Sequence, residues 1–229
     1  MSPNLNDPID PEIKELISKL SHGCIDKALF EEILTTLFLM ANEHKDLGDY
    51  KLINKTLKEL RASFNLFKPY RETRKVALFG SARLEKADPN YVLARDLSKA
   101  LVENGFLIIS GAGGGVMEAA NEGAGEGKSF GLNIKLPNEQ AANPFIRDSP
   151  NLLEFKYFFT RKLVFIKESH ATVLLPGGFG TLDEGFENIT LFQTGKCMPR
   201  PIVLLDHKDD DYWDKWLHFL DSILIKNGY

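Results

Sequence analysis

Cysteine is nearly missing from this chain. Cys24 and Cys197 are the only two, far apart in sequence and without the short spacing of a metal site. That argues against a disulfide-braced secreted fold, and a reduced, cytoplasmic protein is expected. An excess of one charge is missing as well. With 28 basic against 32 acidic residues, the chain makes no overall field toward nucleic acid or an anionic membrane, and neither is an expected partner. Any phosphate ligand must therefore be held by local geometry. No apolar run reaches membrane-spanning length, since "ILTTLFLMA" is too short. The N-terminus, "MSPNLNDPIDPEIKEL", has neither the basic stretch nor the apolar core of a signal peptide. The five histidines are dispersed, so no metal site is expected, and His22 and His44 read as surface residues.

What the chain does have is helical periodicity followed by α/β alternation. Ile13, Leu16, Ile17 and Leu20 fall on one stripe, as do Leu29, Ile33, Leu37 and Met40, and then Leu52, Ile53, Leu57 and Leu60. Residues 1–70 are read as an N-terminal helical extension with no chemistry, packed on the main domain or on a partner subunit. At "RETRKVALFGSAR" the pattern changes. The apolar run Val76–Phe79 ends at Gly80-Ser81, a helix follows and closes at Gly105, and "FLIISG" runs into the glycine-rich "AGGGVMEAANEGAGEG". After "SFGLNIKLP" come the helix "YFFTRKLVFIKESH", the strand "ATVLLPGG", another helix and the strand "RPIVLLD". Continuous apolar strands alternating with helices predict a Rossmann-like, doubly wound parallel sheet over residues 71–229. The chain stops at "LIKNGY" inside a helical pattern, as a truncated chain would.

Three stretches end a strand with glycine or serine: "FGSAR", "SGAGGGVME" and "PGGFGTLDE". In an open parallel sheet all three lie on the edge where ligands bind, which favours a nucleotide-sized anion site. In "LLPGGFGTLDEGFE", Gly177, Gly178 and Gly180 remove the Cβ atoms that would block a phosphate, and Thr181 can cap the next helix. The alternative is a plain strand-to-helix turn. Glu184, three residues after Thr181, is expected in the first helical turn, either as a capping box or as a carboxylate beside a sugar phosphate. Arg161 and Lys162 are either a basic pair on a wet face or part of that site. The dinucleotide fingerprint fails, because Val116 stands where the third glycine belongs. "GKS" at Gly127, Lys128 and Ser129 fails as a phosphate loop, because Glu122 stands at the first glycine and no strand precedes it.

"PGGFGTLDE" fits the P-G-G-x-G-T-x-x-E signature of the Lonely Guy proteins, and "GGGVMEAANEGA", "FGSAR" and "FFTRK" resemble that family's other motifs. The resemblance covers about residues 71–229 and is nearest the longer bacterial branch, whose members have often been labelled lysine decarboxylases. It implies a phosphoribohydrolase that splits nucleoside 5'-monophosphates, AMP or its N6-substituted cytokinin forms, into base and ribose 5-phosphate, without a cofactor and as a homodimer or larger homo-oligomer. By position it implies Arg161 and Glu184 as the catalytic pair. Gly177, Gly178, Gly180 and Thr181 would hold the phosphate with Ser81, and Gly80, Gly113, Gly114, Gly115 and Lys162 would join them around the substrate. Glu118 is a further candidate, for ribose or base contact. One departure from the family pattern is Ala112, whose methyl is expected where backbone approaches the ligand; Gly114 stands where the family has proline. A carboxylate beside an arginine suits this reaction, because N-glycosidic cleavage passes through an oxocarbenium-like state while negative charge grows on the base. A nucleotide-binding carrier of the same fold and an inactive regulatory subunit are the alternatives.

Overall fold

The computed structural model describes residues 10–43, 46–136 and 141–229, so the expected surface His44, the first nine residues and Pro137 of "SFGLNIKLP" lie outside the described residues. The chain divides into two compact units, Met1–Asn54 and Lys55–Tyr229. In the first unit, α1 (Pro11–Leu20) starts at Asp10, whose side chain accepts the Glu12 N–H at 2.8 Å, with proline in the first turn. It is followed by α2 (Lys27–Glu43), which buries none of its residues, and Leu29 and Ile33 stand 54% and 44% exposed. The boundary between units falls inside α3 (Leu47–Phe67).

In the second unit six strands form one parallel sheet: β1 (Lys75–Phe79), β2 (Leu107–Ser110), β3 (Ser129–Ile134), β4 (Leu152–Phe155), β5 (Ala171–Leu174) and β6 (Ile202–Leu204), in the order β4-β3-β2-β1-β5-β6. The predicted Rossmann-like class is the observed one. The strands are short and mostly apolar, and β1, β2 and β3 are buried along their whole length. On one face α4 (Pro89–Glu103) and α5 (Val116–Ala124) pack Tyr91, Ala94, Val116, Ala119 and Ala120 onto Val76, Leu78 and Ile108. The two helices approach so closely that a Cβ on Gly123 would run into the Arg95 backbone. On the other face the end of α3, α6 (Phe158–Glu168) and α8 (Tyr212–Phe219) contribute Phe67, Phe165 and Trp213 against Ala77, Phe79, Ile109 and Phe130. A π-helical turn, Leu220–Ile225, follows α8. No helix of the described residues is long and apolar enough to cross a membrane.

Two local features depart from the apolar pattern. The buried stripe of α3 in this unit runs through Glu59, Ser63 and Phe67, whereas Leu57, on the predicted stripe, is 44% exposed. A carboxylate is tolerated there because Glu59 accepts the Lys156 backbone N–H at 2.6 Å and the Thr160 hydroxyl, with the Lys55 ammonium at 3.5 Å. Strand β4, in "NLLEF", is an edge strand that the sequence reading left unassigned.

The chain travels outward from β1 through β2 and β3 to β4, then returns to place β5 on the other side of β1. Between β1 and β5 the winding reverses, and such a switch point opens a crevice beyond the strands' carboxyl ends. The turns after β1, β2 and β5 all lie there.

Candidate active site

A cavity of about 690 Å³ opens at this switch point, a size suited to a small-molecule ligand. The three predicted turns form part of its wall: Gly80, Ser81 and Arg83 after β1, Gly111 and Gly113 after β2, and Gly178, Gly180 and Thr181 after β5. Backbone hydrogen bonds lock these turns together. The Ser81 N–H donates to the Pro176 carbonyl at 3.0 Å, and the Val116 N–H donates to the Ser81 carbonyl at 2.9 Å. Gly115 can take part only as glycine: its φ is +60°, and a Cβ there would strike the Ser81 carbonyl. Gly177 is likewise pressed against Ser81 N and Thr181, and its carbonyl accepts the Tyr212 hydroxyl at 2.7 Å. Gly178 and Gly180 differ, since a Cβ on either would meet no atom within 4 Å. These two face open space at the N-terminus of α7 (Phe179–Gln193), where unpaired N–H groups and the helix dipole favour an anion.

Helix α7 starts three residues earlier than a Thr181 cap requires. Gly178 is its N-cap, Thr181 is its third residue and Glu184 its sixth, in the second turn. The capping-box alternative is thereby removed. Thr181, Glu184, Gly185 and Asn188 form the buried face of the helix. Asn188 fixes that face: its Nδ2 donates to the Glu184 carbonyl at 2.7 Å, and its Oδ1 accepts the Thr172 hydroxyl at 3.0 Å and also the Arg200 guanidinium.

Arg161 and Glu184 meet inside the cavity. Arg161 Nη2 lies 3.9 Å from Glu184 Oε1, and their side chains are 13% and 4% exposed. Arg161 Nη1 reaches the Leu132 carbonyl at 3.5 Å, and the guanidinium lies over the Phe158 and Phe165 rings, 5.3 and 5.7 Å from their centroids. Arg161 Nε and Glu184 Oε2 are buried and make no hydrogen bond. Buried polar atoms of this kind are normally paired, so an open pair inside a cavity is a functional signal. Burial raises the Glu184 carboxyl above its ordinary range, with Lys162 and Arg161 pulling back the other way. Burial likewise lowers the Arg161 guanidinium, opposed by Glu184 and Asp183.

Other sequence candidates sit elsewhere. Lys162 does not line the cavity. Its ammonium is held by three carboxylates of α7, Asp183 and Glu187 at 2.8 Å and Glu184 at 3.5 Å. Burial would lower its pKa, but the hydrogen bonds to Asp183 and Glu187 outweigh burial and raise it. Glu118 is in the first turn of α5 as predicted, yet it faces the Tyr91 hydroxyl at 3.5 Å and the Lys86 ammonium at 3.4 Å, away from the cavity wall. Gly114 and Gly115 support the wall without lining it. Ala112 does have an unusual backbone, with φ +63°, but its methyl is fully buried beside Ala142, Ile146 and Leu152 and does not enter the cavity. The expected obstruction by that methyl is absent. The sequence reading missed the wall residues Met117, Asn133, Leu136 and Phe158, together with Arg83 as a site residue. Arg83 stood in the "FGSAR" motif and Phe158 in "FFTRK", whereas nothing in the sequence singled out Asn133.

A cavity built of glycine-rich turns at the switch point of a parallel sheet, with an arginine–carboxylate pair on its wall, defines a Rossmann-like α/β protein. Residues 117–229 match the family described as "Possible lysine decarboxylase". The chain belongs to this family, that of the Lonely Guy proteins. It is 32% identical over 156 residues to the "Probable cytokinin riboside 5'-monophosphate phosphoribohydrolase LOGL5" of Oryza sativa subsp. japonica, covering 65% of this chain and 60% of the relative. It is 30% identical over 164 residues to the same organism's "Cytokinin riboside 5'-monophosphate phosphoribohydrolase LOG", covering 68% and 63%. The chain thus spans less than two thirds of the length of these two relatives. Among solved structures it is similar to the molybdenum cofactor binding protein of the phototrophic bacterium Rippkaea orientalis, with 21% identity, 66% of this chain and 85% of that chain covered, and a TM-score of 0.46.

Proposed function

We propose that the protein hydrolyses the N-glycosidic bond of nucleoside 5'-monophosphates, releasing the free base and ribose 5-phosphate. The buried Arg161–Glu184 pair on the cavity wall, in which Nε and Oε2 are left without a hydrogen bond, carries this reading. The 5'-phosphate sits against Gly178, Gly180 and the first N–H groups of α7, with Ser81 beside it. The Glu184 carboxylate stabilises the cationic sugar as the C1'–N bond breaks with both electrons leaving on the base, and it orients the water whose oxygen bonds to C1'. That water's proton ends on the base, whose growing negative charge Arg161 offsets. AMP and N6-substituted AMP are the first substrates to expect, in keeping with the names of the relatives.

Lysine decarboxylation fits poorly, because a Schiff-base lysine must lose its proton readily and Lys162 is held charged by three carboxylates. A carrier would need the phosphate turn but not a buried, half-unpaired carboxylate. The test is incubation with a panel of nucleoside monophosphates. Free base is expected from at least one purine monophosphate, and intact nucleotides throughout would defeat the proposal.

The reading extends to assembly. Phe159 and Leu163 on α6 are 52% and 51% exposed, and Phe179 at the cavity lip is 93% exposed. A second copy of the chain is the proposed cover for these side chains. Light scattering should give at least twice the chain mass of 25.8 kDa, and an active monomer would refute this.

A further inference from the structure

Asn133, the fifth residue of β3, lines the cavity and is 8% exposed. Its Oδ1 accepts the Ile134 backbone N–H at 3.0 Å. Only oxygen can meet that donor, which fixes the orientation of the amide and leaves the Nδ2 hydrogens free. No described residue accepts from Nδ2. A nearly buried amide with an idle donor is unfavourable unless a ligand or water completes it.

Its place in the sheet says which part of a ligand it meets. Strands β5, β1, β2 and β3 are consecutive neighbours, so three inter-strand steps, roughly 14 Å, separate the turn before α7 from the end of β3. With the phosphate at α7 and the ribose beside Glu184, the remaining part of a nucleotide lies over the ends of β2 and β3. The side chains that line the cavity there, Met117, Ile134, Leu136 and Phe158, are apolar. Arg161 and Asn133 provide donors, and the Asn133 Oδ1 already accepts one hydrogen bond, from the Ile134 N–H. This end of the cavity therefore asks its ligand for an acceptor.

We propose that Asn133 Nδ2 donates a hydrogen bond to an acceptor on the edge of the nucleobase, a ring nitrogen or a carbonyl oxygen, and so orients the base and selects among bases. The inference rests on the phosphoribohydrolase reading for the direction in which the nucleotide lies. Binding without turnover tests it separately. The carbocyclic analogue of AMP, in which a methylene replaces the ribose ring oxygen, cannot form the oxocarbenium-like state. Ribose 5-phosphate lacks the base. Calorimetry with both probes is run on wild type, on Asn133→Leu, which removes the donor, and on Asn133→Asp, which keeps an acceptor for the Ile134 N–H. Affinity for the analogue should fall by about tenfold or more in both variants, while ribose 5-phosphate affinity stays within about twofold. Should Asn133→Leu fail to melt cooperatively, Asn133→Asp decides alone. Equal losses for both probes, no loss for either, or a wild type that binds the analogue no more tightly than ribose 5-phosphate would overturn the assignment. Failure of the reaction itself looks different: the analogue binds and depends on Asn133, yet no monophosphate releases its base.

Discussion

Replacing Glu184 with glutamine is expected to give a folded protein that binds AMP nearly as well as before and turns it over at least roughly 100-fold more slowly. The substitution keeps the size of a side chain that is 4% exposed and removes only its charge. Neither Thr181 nor the start of α7 depends on the carboxylate, because Gly178 is the N-cap and Glu184 lies in the second turn. The proposed phosphate contacts are Gly178 and Gly180 at the start of α7, a turn before Glu184, so ground-state affinity should change little. The negative charge matters most when C1' becomes cationic, and its loss falls on kcat. The same argument fixes a pH dependence. Burial raises the Glu184 carboxyl more than Lys162 and Arg161 lower it, so protonation sets in at a higher pH than for an ordinary carboxylate. Wild-type kcat should therefore decline on acidification from a pH above the usual carboxylate range, and the residual rate of Glu184→Gln should lack that acid limb. Turnover, AMP affinity and a melting curve for the two proteins suffice. Near-normal turnover in a folded Glu184→Gln variant would remove the Glu184 charge from the chemistry and leave the start of α7 a binding turn only.

How much of this was legible in the sequence depended on how local each signal was. The three turns on one sheet edge could be read because each places glycine or serine directly after a short apolar strand, and parallel winding does the rest. Arg161 and Glu184 could be proposed as partners only from the family resemblance, since 22 intervening residues and a strand say nothing about a contact at 3.9 Å. The expected start of α7 is late because Gly178 caps the helix without a side chain, which leaves Thr181 as the natural cap to read from the sequence. Glu118 was placed in the right turn but on the wrong side, because helical position does not say which way a helix is rotated against its neighbours; α5 turns Glu118 toward Tyr91 of α4. Glu59 was invisible to apolar periodicity, since what makes its burial tolerable is the Lys156 N–H and the Thr160 hydroxyl about 100 positions away. Ala112 misled in the same manner: its methyl belongs to a small cluster with Ala142 and Ile146, residues that no local pattern connects to it.

AMP is expected to be cleaved with a kcat/KM roughly a thousandfold above that of adenosine, because the phosphate supplies remote binding energy that positions the sugar over Glu184. The structure allows that dependence to be removed at one atom. An alanine at Gly178 would have an ordinary extended backbone, φ −89°, and its methyl would meet no protein atom within 4 Å. It would instead stand in open space at the N-cap of α7, where the phosphate is proposed to bind. Gly178→Ala should thus melt as wild type does, lose most of its preference for AMP and leave the slow adenosine reaction unchanged. Gly177→Ala is the contrasting case. Its methyl would press on the Thr181 hydroxyl and lie 2.8 Å from Ser81 N, so that variant should lose stability before it loses selectivity. Rates for both substrates in wild type and Gly178→Ala decide the matter. Equal wild-type efficiency on AMP and adenosine would show that no phosphate anchor exists. Undiminished AMP preference in Gly178→Ala would move the anchor off α7, and the exposed Arg83 on the cavity wall would be the next group to test.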